Sequence, residues 1–247
     1  MEIIDAHAHI GSCMSAIHFS KRVYTGSGLI QEMDRNGVAK AVVSGGGEPH
    51  DTELMNSRAL EAVQRYPDRL IGFVRVNPLL DDCVETLREF ASEHGFRGVK
   101  LHPTQDGYQL LDSRIHVVVS EAEKLGLPIL IHSGSVPYAM PGQVADLAIM
   151  HPESKLIMAH AGKLELWQHV LPSAERAENL FLEFSFTHHI SVRRAIDALG
   201  PERVLFGSNW PAGSMRPWID TVKSVQTFTD EERELFLGKN LVRVLSA

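Results

Sequence analysis

Short runs of apolar, β-branched residues recur eight times along the chain, and each is followed by a stretch in which apolar positions return every three or four residues. Runs this short, bounded by turn residues, predict strands at residues 2–9, 39–44, 70–76, 98–102, 128–132, 155–160, 179–185 and 203–208. Most of them are apolar almost without interruption, as strands buried on both faces are. The stretches between predict helices. Asp81 can cap one whose Val84, Leu87 and Ala91 form an apolar stripe, with Gly95 where the chain turns out. Asp112 or Ser113 opens another carrying Ile115, Val118, Val119, Ala122 and Leu125, closed by Gly126, and Ser191 and Gly200 bracket a third. A last segment, 230–245, is interrupted around Gly238 and offers Leu235, Phe236, Leu241 and Val242 to the bottom or side of the fold.

Eight strand–helix repeats predict a parallel (β/α)8 barrel, the TIM-barrel architecture. The length of 247 residues and 44% hydrophobic content suit one such barrel spanning 1–247, since the fold needs roughly 250 residues. No linker or low-complexity tract suggests a second domain. An open doubly wound sheet is the competing arrangement, but its dinucleotide-binding forms need a glycine-rich turn, and Gly45-Gly46-Gly47 lacks the GxGxxG spacing. That triplet is read as a flexible loop.

The net charge of −7 comes from interspersed acidic and basic residues, so neither nucleic acid nor an anionic membrane is an expected partner and a small-molecule substrate is. No basic, then apolar leader opens the sequence, and no apolar run approaches about 18 residues. Cys13 and Cys83 allow at most one bridge and no thiolate metal site. A cytoplasmic protein is expected, with a homodimer as the prior for its assembly.

In a (β/α)8 barrel the C-terminal ends of all strands open on one cavity, where catalytic residues gather. His7 and His9 lie two apart on the first strand and so share a face. His132 and His160 end two further strands, so four imidazoles converge on one mouth, a donor set suited to Zn(2+) or a similar divalent metal. Lys100 and His102 share a face of the fourth strand. A lysine inside a barrel is costly unless used or paired, and this one can hold a substrate carboxylate, sit by the metal, carry a bridging carbamate, or pair with Glu183. Arg75, ending the third strand, can clamp a carboxylate or form an ion pair on the rim. Trp210 is read as an apolar wall of the substrate pocket, as are Tyr138 and Met140, while His188 and His189 lie on a loop within reach of the mouth. Asp5 can orient a ligand from beneath. His18, His50, His94, His116, His151 and His169 attract no functional reading.

The motifs Ile4-Asp5-Ala6-His7-Ala8-His9-Ile10-Gly11, Gly98-Val99-Lys100-Leu101-His102-Pro103, Ile131-His132-Ser133-Gly134, Ala159-His160-Ala161-Gly162, Phe206-Gly207-Ser208-Asn209-Trp210-Pro211 and Gly238-Lys239-Asn240 follow one another at barrel-strand intervals. In this order they resemble the amidohydrolase superfamily, in the branch of aminocarboxymuconate-semialdehyde decarboxylase, the resorcylate-type decarboxylases and several lactone hydrolases. The resemblance implies that His7, His9 and His132 bind the metal, Zn(2+) or Mn(2+), and that His160 carries a proton near the substrate or is a second metal ligand. It also implies a Gly-Ser-Asp at the last strand, whose carboxylate ligates the metal and deprotonates water; this chain has Asn209. An amide can offer an oxygen but cannot serve as a base. Three readings follow: His160 or His102 replaces the base, the chain works with little or no metal, or it has lost catalysis. The favoured function is metal-dependent hydrolysis of a small lactone, ester or amide, with His160, Asn209 and Lys100 as catalytic residues and His102, Arg75 and Trp210 against the substrate. A non-oxidative decarboxylase of a small unsaturated or aromatic acid is the alternative enzyme, and a small-molecule binding barrel the alternative class.

Overall fold

The computed structural model describes residues 1–12, 23–47 and 51–246; Cys13, His18 and His50 lie outside them. Nine strands form the sheet: β1 (Ile3–Ser12), β2 (Val23–Tyr24), β3 (Val38–Gly46), β4 (Leu70–Arg75), β5 (Gly98–Leu101), β6 (Ile129–His132), β7 (Leu156–Ala159), β8 (Leu180–Glu183) and β9 (Val204–Leu205). They are ordered β2-β1-β3-β4-β5-β6-β7-β8-β9. All neighbours are parallel except β2, a two-residue strand that pairs antiparallel with the end of β1 and was not foreseen. The other eight are the expected ones. Hydrogen bonds from the Ala6 amide to the Phe206 carbonyl (2.9 Å), from His9 to Trp210 (2.8 Å) and from Asn209 to His7 (2.7 Å) close the sheet on itself as a (β/α)8 barrel.

Alternation along each strand builds two layers inside the barrel. Ile4, Phe73, Leu130, Ile157 and Leu205 pack in one interior cluster, plugged from below by Leu241 and Val244. Two residues further along β4 and β6 the same face carries Arg75 and His132, so the layer above the apolar one is polar. On β1 the register shifts between Asp5 and Ala8, which lets both Ile4 and the pair His7 and His9 turn inward. A second, larger cluster fills the space between strands and helices.

Several boundaries move by a residue or two. β1 and β3 run past their expected ends, whereas β7 stops at Ala159 because His160, at φ 64°, leaves extended geometry, and β9 stops at Leu205, after which the Phe206 amide bonds the Phe236 carbonyl. Gly45 and Gly46 continue β3 instead of forming a loop. The helix Cys83–Ser92 starts after Asp82, not Asp81, and Ser191 lies inside the helix His189–Leu199. The helix Ile115–Lys124 starts after Arg114, whose amide donates to Asp112. The interruption near Gly238 is a π-helical turn, Leu235–Lys239, between the helices Asp230–Glu234 and Asn240–Leu245. Of the four residues expected to pack from this segment, Leu235, Phe236 and Leu241 are buried and Val242 is exposed. Among the described residues no helix is long and apolar enough to cross a membrane.

Candidate active site at the barrel mouth

The C-terminal strand ends bring His7, His9, Lys100, His132, His160 and Glu183 together under a cavity of about 460 Å³. Nδ1 of His7 lies 2.7 Å from Oε2 of Glu183, which fixes the proton on Nδ1 and leaves the Nε2 lone pair facing into the site. That Nε2 has Nε2 of His9 and Nζ of Lys100 each at 3.0 Å. His9 is held from behind by Ser44, whose Oγ lies 3.0 Å from Nδ1, and it also hydrogen-bonds the side chain of Asn209.

The other half of the site is a chain of bonds. Nδ1 of His132 lies 3.1 Å from Nε2 of His160, and Nδ1 of His160 lies 2.7 Å from Oγ of Ser185. Ser185 Oγ donates in turn to Oε2 of Glu183 at 3.0 Å. Because the serine's proton is spent on the carboxylate, its oxygen accepts from His160 Nδ1–H, and His160 Nε2 carries the lone pair. His102 stacks on His132, ring centroids 3.9 Å apart, and its Nδ1 accepts from the Gln105 amide.

Glu183 is the hub. Its carboxylate receives His7 Nδ1–H, the His160 amide at 3.1 Å, and both the amide and hydroxyl of Ser185. Beneath, Asp5 accepts from the amides of His7 and Ser208, both 2.9 Å, and from the Ser208 hydroxyl, so it ties β1 to the turn after β9 and orients His7 through its backbone.

Burial dominates the electrostatics. It holds His7, His9, His102, His132 and His160 neutral, well below their ordinary 6.5, with neighbouring imidazoles and the charges of Lys100, Arg75 and Lys163 adding to the effect. Burial, then Arg75, brings Lys100 down to about 7, against the pull of Glu183. Burial raises Glu183 to about 7 and Asp5 to about 6, in both cases against hydrogen bonds that favour the anion. A pH dependence follows for the metal-free protein. The unfolded chain protonates five histidines below 6.5 that the native state keeps neutral, so their contribution is present above 6.5 and lost on acidification. Glu183 and Asp5 act oppositely, binding protons natively up to about 7 and 6. Five outweigh two, and a thermal melt series from pH 7.5 to 5 is expected to fall; a flat or rising series contradicts the neutral-imidazole assignment.

Some residues are placed differently from expectation. Glu183 does not pair with Lys100 directly; it bonds His7, and His7 is the hydrogen-bond partner of Lys100. Arg75 is not on the rim: it is buried in an ion pair with Asp106 at 2.7 Å and also donates to Gln105 at 2.7 Å. The Trp210 ring packs edge-on against Tyr24, in a groove with Val23 and Gly28 beside the cavity, so it does not wall the cavity as expected. Phe186 does. Tyr138 and Met140 are not among the cavity's walls, and His188 and His189 are exposed.

Sequence reasoning missed Lys163. It faces the cavity with Nζ 3.2 Å from Ser135 Oγ and 3.4 Å from His132 Nε2. It closes a run of four residues with positive φ, His160 to Lys163, and at φ 56°, ψ −173° its backbone is in a region close to glycine-only. Such a residue costs about 1–3 kcal/mol and persists where surroundings impose it. The Gly162 amide donating to Ser133 Oγ and the His160 amide donating to Glu183 are those constraints.

Among the described residues, His7, His160 and Glu183 bring one donor atom each within 4.8 Å of one another. Two imidazoles and a carboxylate are a donor set for a divalent metal. This trio shares His7 with the expected ligands His7, His9 and His132, and it includes His160, which the sequence offered as a proton carrier or second ligand. The two readings meet in the pair of Nε2 atoms of His7 and His9, which lie 3.0 Å apart and repel unless a proton or a cation stands between them. Glu183 also supplies the site with the negative charge that Asn209 lacks.

Among curated proteins, none matches the chain in sequence. Solved structures do match in fold. A 5-carboxyvanillate decarboxylase from Novosphingobium aromaticivorans, with bound manganese and 3-methoxy-4-hydroxy-5-nitrobenzoic acid, superposes with a TM-score of 0.80 at 14% identity, covering 100% of this chain and 97% of that one. A probable 2-pyrone-4,6-dicarboxylic acid hydrolase from Acinetobacter baumannii, with citric acid bound, gives 0.71 at 19%, covering 100% of each. The 4-oxalomesaconate hydratase of Rhodopseudomonas palustris gives 0.72 at 18%, covering 98% and 95%. With the barrel, the His-Glu cluster and a match to the family described as Amidohydrolase over residues 4–246, this chain belongs to the amidohydrolase family and is an enzyme of it.

Proposed function

We propose that the enzyme is a metal-dependent hydrolase of a small carbonyl compound, a lactone, ester or amide. The observation that carries this reading is the His160 ring: neutral, with its Nδ1 proton engaged by Ser185 and its Nε2 lone pair facing the other imidazoles under the cavity. A base held in this tautomer, once its Nε2 leaves His132 Nδ1, takes a proton from attacking water at Nε2 and returns it to the leaving oxygen or nitrogen. His7, His9 and His132 would hold the cation, zinc or manganese, with Glu183 orienting His7 and balancing charge. When bound, the cation supplies Lewis-acid polarisation of the substrate carbonyl. Asn209 steadies His9 without titrating, Lys100 is held against His7, and His102 buttresses His132 by stacking. Arg75, already committed to Asp106 and Gln105, is not free to clamp a departing carboxylate, which weighs against decarboxylation.

The test is a panel of lactones, esters, amides and unsaturated or aromatic acids, run on protein purified without chelator, beside Asn209→Asp. Hydrolysis by the wild type is expected, with metal affinity rising about tenfold or more in Asn209→Asp as an anionic ligand is added. Release of CO2 from the acids without hydrolysis favours the decarboxylase reading. Ligand binding without turnover in either protein favours a binding barrel.

A further inference from the structure

We propose that Lys163 is the residue by which this cavity recognises a carboxylate, so that the substrate is an anionic lactone, ester or amide whose carboxylate sits apart from the carbonyl. The proposal rests on the hydrolase reading only for which end of the substrate faces the histidines.

Among the described residues the cavity is lined by two basic side chains, Arg75 and Lys163, and by no carboxylate. The field inside therefore favours an anion. Arg75 already has its counter-ion: two of its nitrogens donate to Asp106 and Gln105, and Asp106 balances its charge. The Lys163 ammonium hydrogen-bonds neutral partners instead, the Ser135 hydroxyl and the His132 ring; Glu165 acts on it at longer range, and among the described residues it forms no ion pair. A partly buried ammonium with no anion in contact is a site for one.

Two features aim it. The turn packs on Gly134, whose φ is 81° and where a Cβ would meet the Gly162 carbonyl carbon and oxygen and Lys163 Cγ, each at 2.8 Å, so the bare glycine lets the turn and the start of the lysine stem sit close. The backbone conformation of Lys163 is one that glycine would adopt without strain. If the turn served only to reverse the chain, glycine would serve better; a lysine held there points to its side chain.

The experiment is calorimetric binding of the α,ω-dicarboxylates from malonate to adipate, and of glutaramide as the neutral control, to the protein as purified. Wild type is compared with Lys163→Met, Lys163→Gly and Lys163→Arg. At least one dicarboxylate is expected to bind the wild type, with affinity reduced about 10- to 100-fold in Lys163→Met and Lys163→Gly and largely retained in Lys163→Arg, while glutaramide does not discriminate. Lys163→Gly is expected to melt no lower than wild type, which separates loss of recognition from loss of fold. Unchanged dicarboxylate affinity in Lys163→Met overturns the proposal, as does failure of every dicarboxylate to bind the wild type. Parallel loss of melting temperature and of both ligand types in all three variants assigns Lys163 to structure and overturns it too. Because binding is read without turnover, a failure of the hydrolase reading leaves this result intact.

Discussion

His160→Asn lowers kcat by about 10²- to 10⁴-fold while leaving metal content unchanged, the loss typical of removing a positioned proton carrier. Asparagine is the informative replacement because position 160 has a φ of 64°, which asparagine tolerates, and because its amide can still reach Ser185. The variant keeps the turn and loses the titrating ring. Elemental analysis alongside the rate separates two roles for His160. Loss of rate with metal retained identifies a proton carrier, whereas equal loss of rate and metal identifies a ligand, in line with the trio His7, His160 and Glu183. A fall of less than fivefold removes His160 from the chemistry and leaves His102 as the candidate base.

The second large effect belongs to Glu183→Gln, which should weaken metal binding about 10- to 100-fold and destabilise the fold by roughly 3 kcal/mol. The carboxylate accepts four bonds, from His7, the His160 amide and the two donors of Ser185. Glutamine presents one carbonyl and one NH2, so at least one buried N–H meets another donor. The space offers no alternative, because Glu183 packs against Gly207 so closely that a Cβ there would lie 2.3 Å from Oε1. With its orienting carboxylate gone, His7 is free to take the other tautomer. Metal titration and chemical denaturation measure the two losses. Wild-type metal affinity in Glu183→Gln would show that Glu183 is a packing residue and that the charge balance of the site comes from elsewhere.

How far the amino-acid sequence reaches depends on what each property needs. Strand positions, the barrel and the histidines at β1, β6 and β7 are local: eight apolar runs, two-residue alternation and motifs at strand ends carry them, and one topology places all those ends at one mouth. His7, His9, His132 and His160 could therefore be named before any coordinates. Glu183 was visible only as a carboxylate ending an apolar strand, a pattern that marks a buried acid but not its partner. His7 and Glu183 lie near opposite ends of the strand order and are brought together through β9, so their bond exists only because the sheet closes. Arg75 shows the same limit, since Asp106, 31 residues on, decides whether the guanidinium is free.

Lys163 was illegible for a different reason. It lies just past a strand end, in a turn whose four positive φ values no periodicity records, and its ammonium is held by Ser135 and His132, 28 and 31 residues away in sequence. Trp210 erred in the opposite sense: adjacency to Asn209 suggested the cavity, but the ring turns to Tyr24 on β2, a strand too short to read. Residue types and their order along the chain determined the fold, the family and the imidazole donors, because these follow from periodicity and motif. Which charges are free, which nitrogens carry protons and which side chains face the substrate was decided by tertiary structure alone. These depend on distances of about 3 Å between groups far apart in sequence, and on how burial shifts their charge.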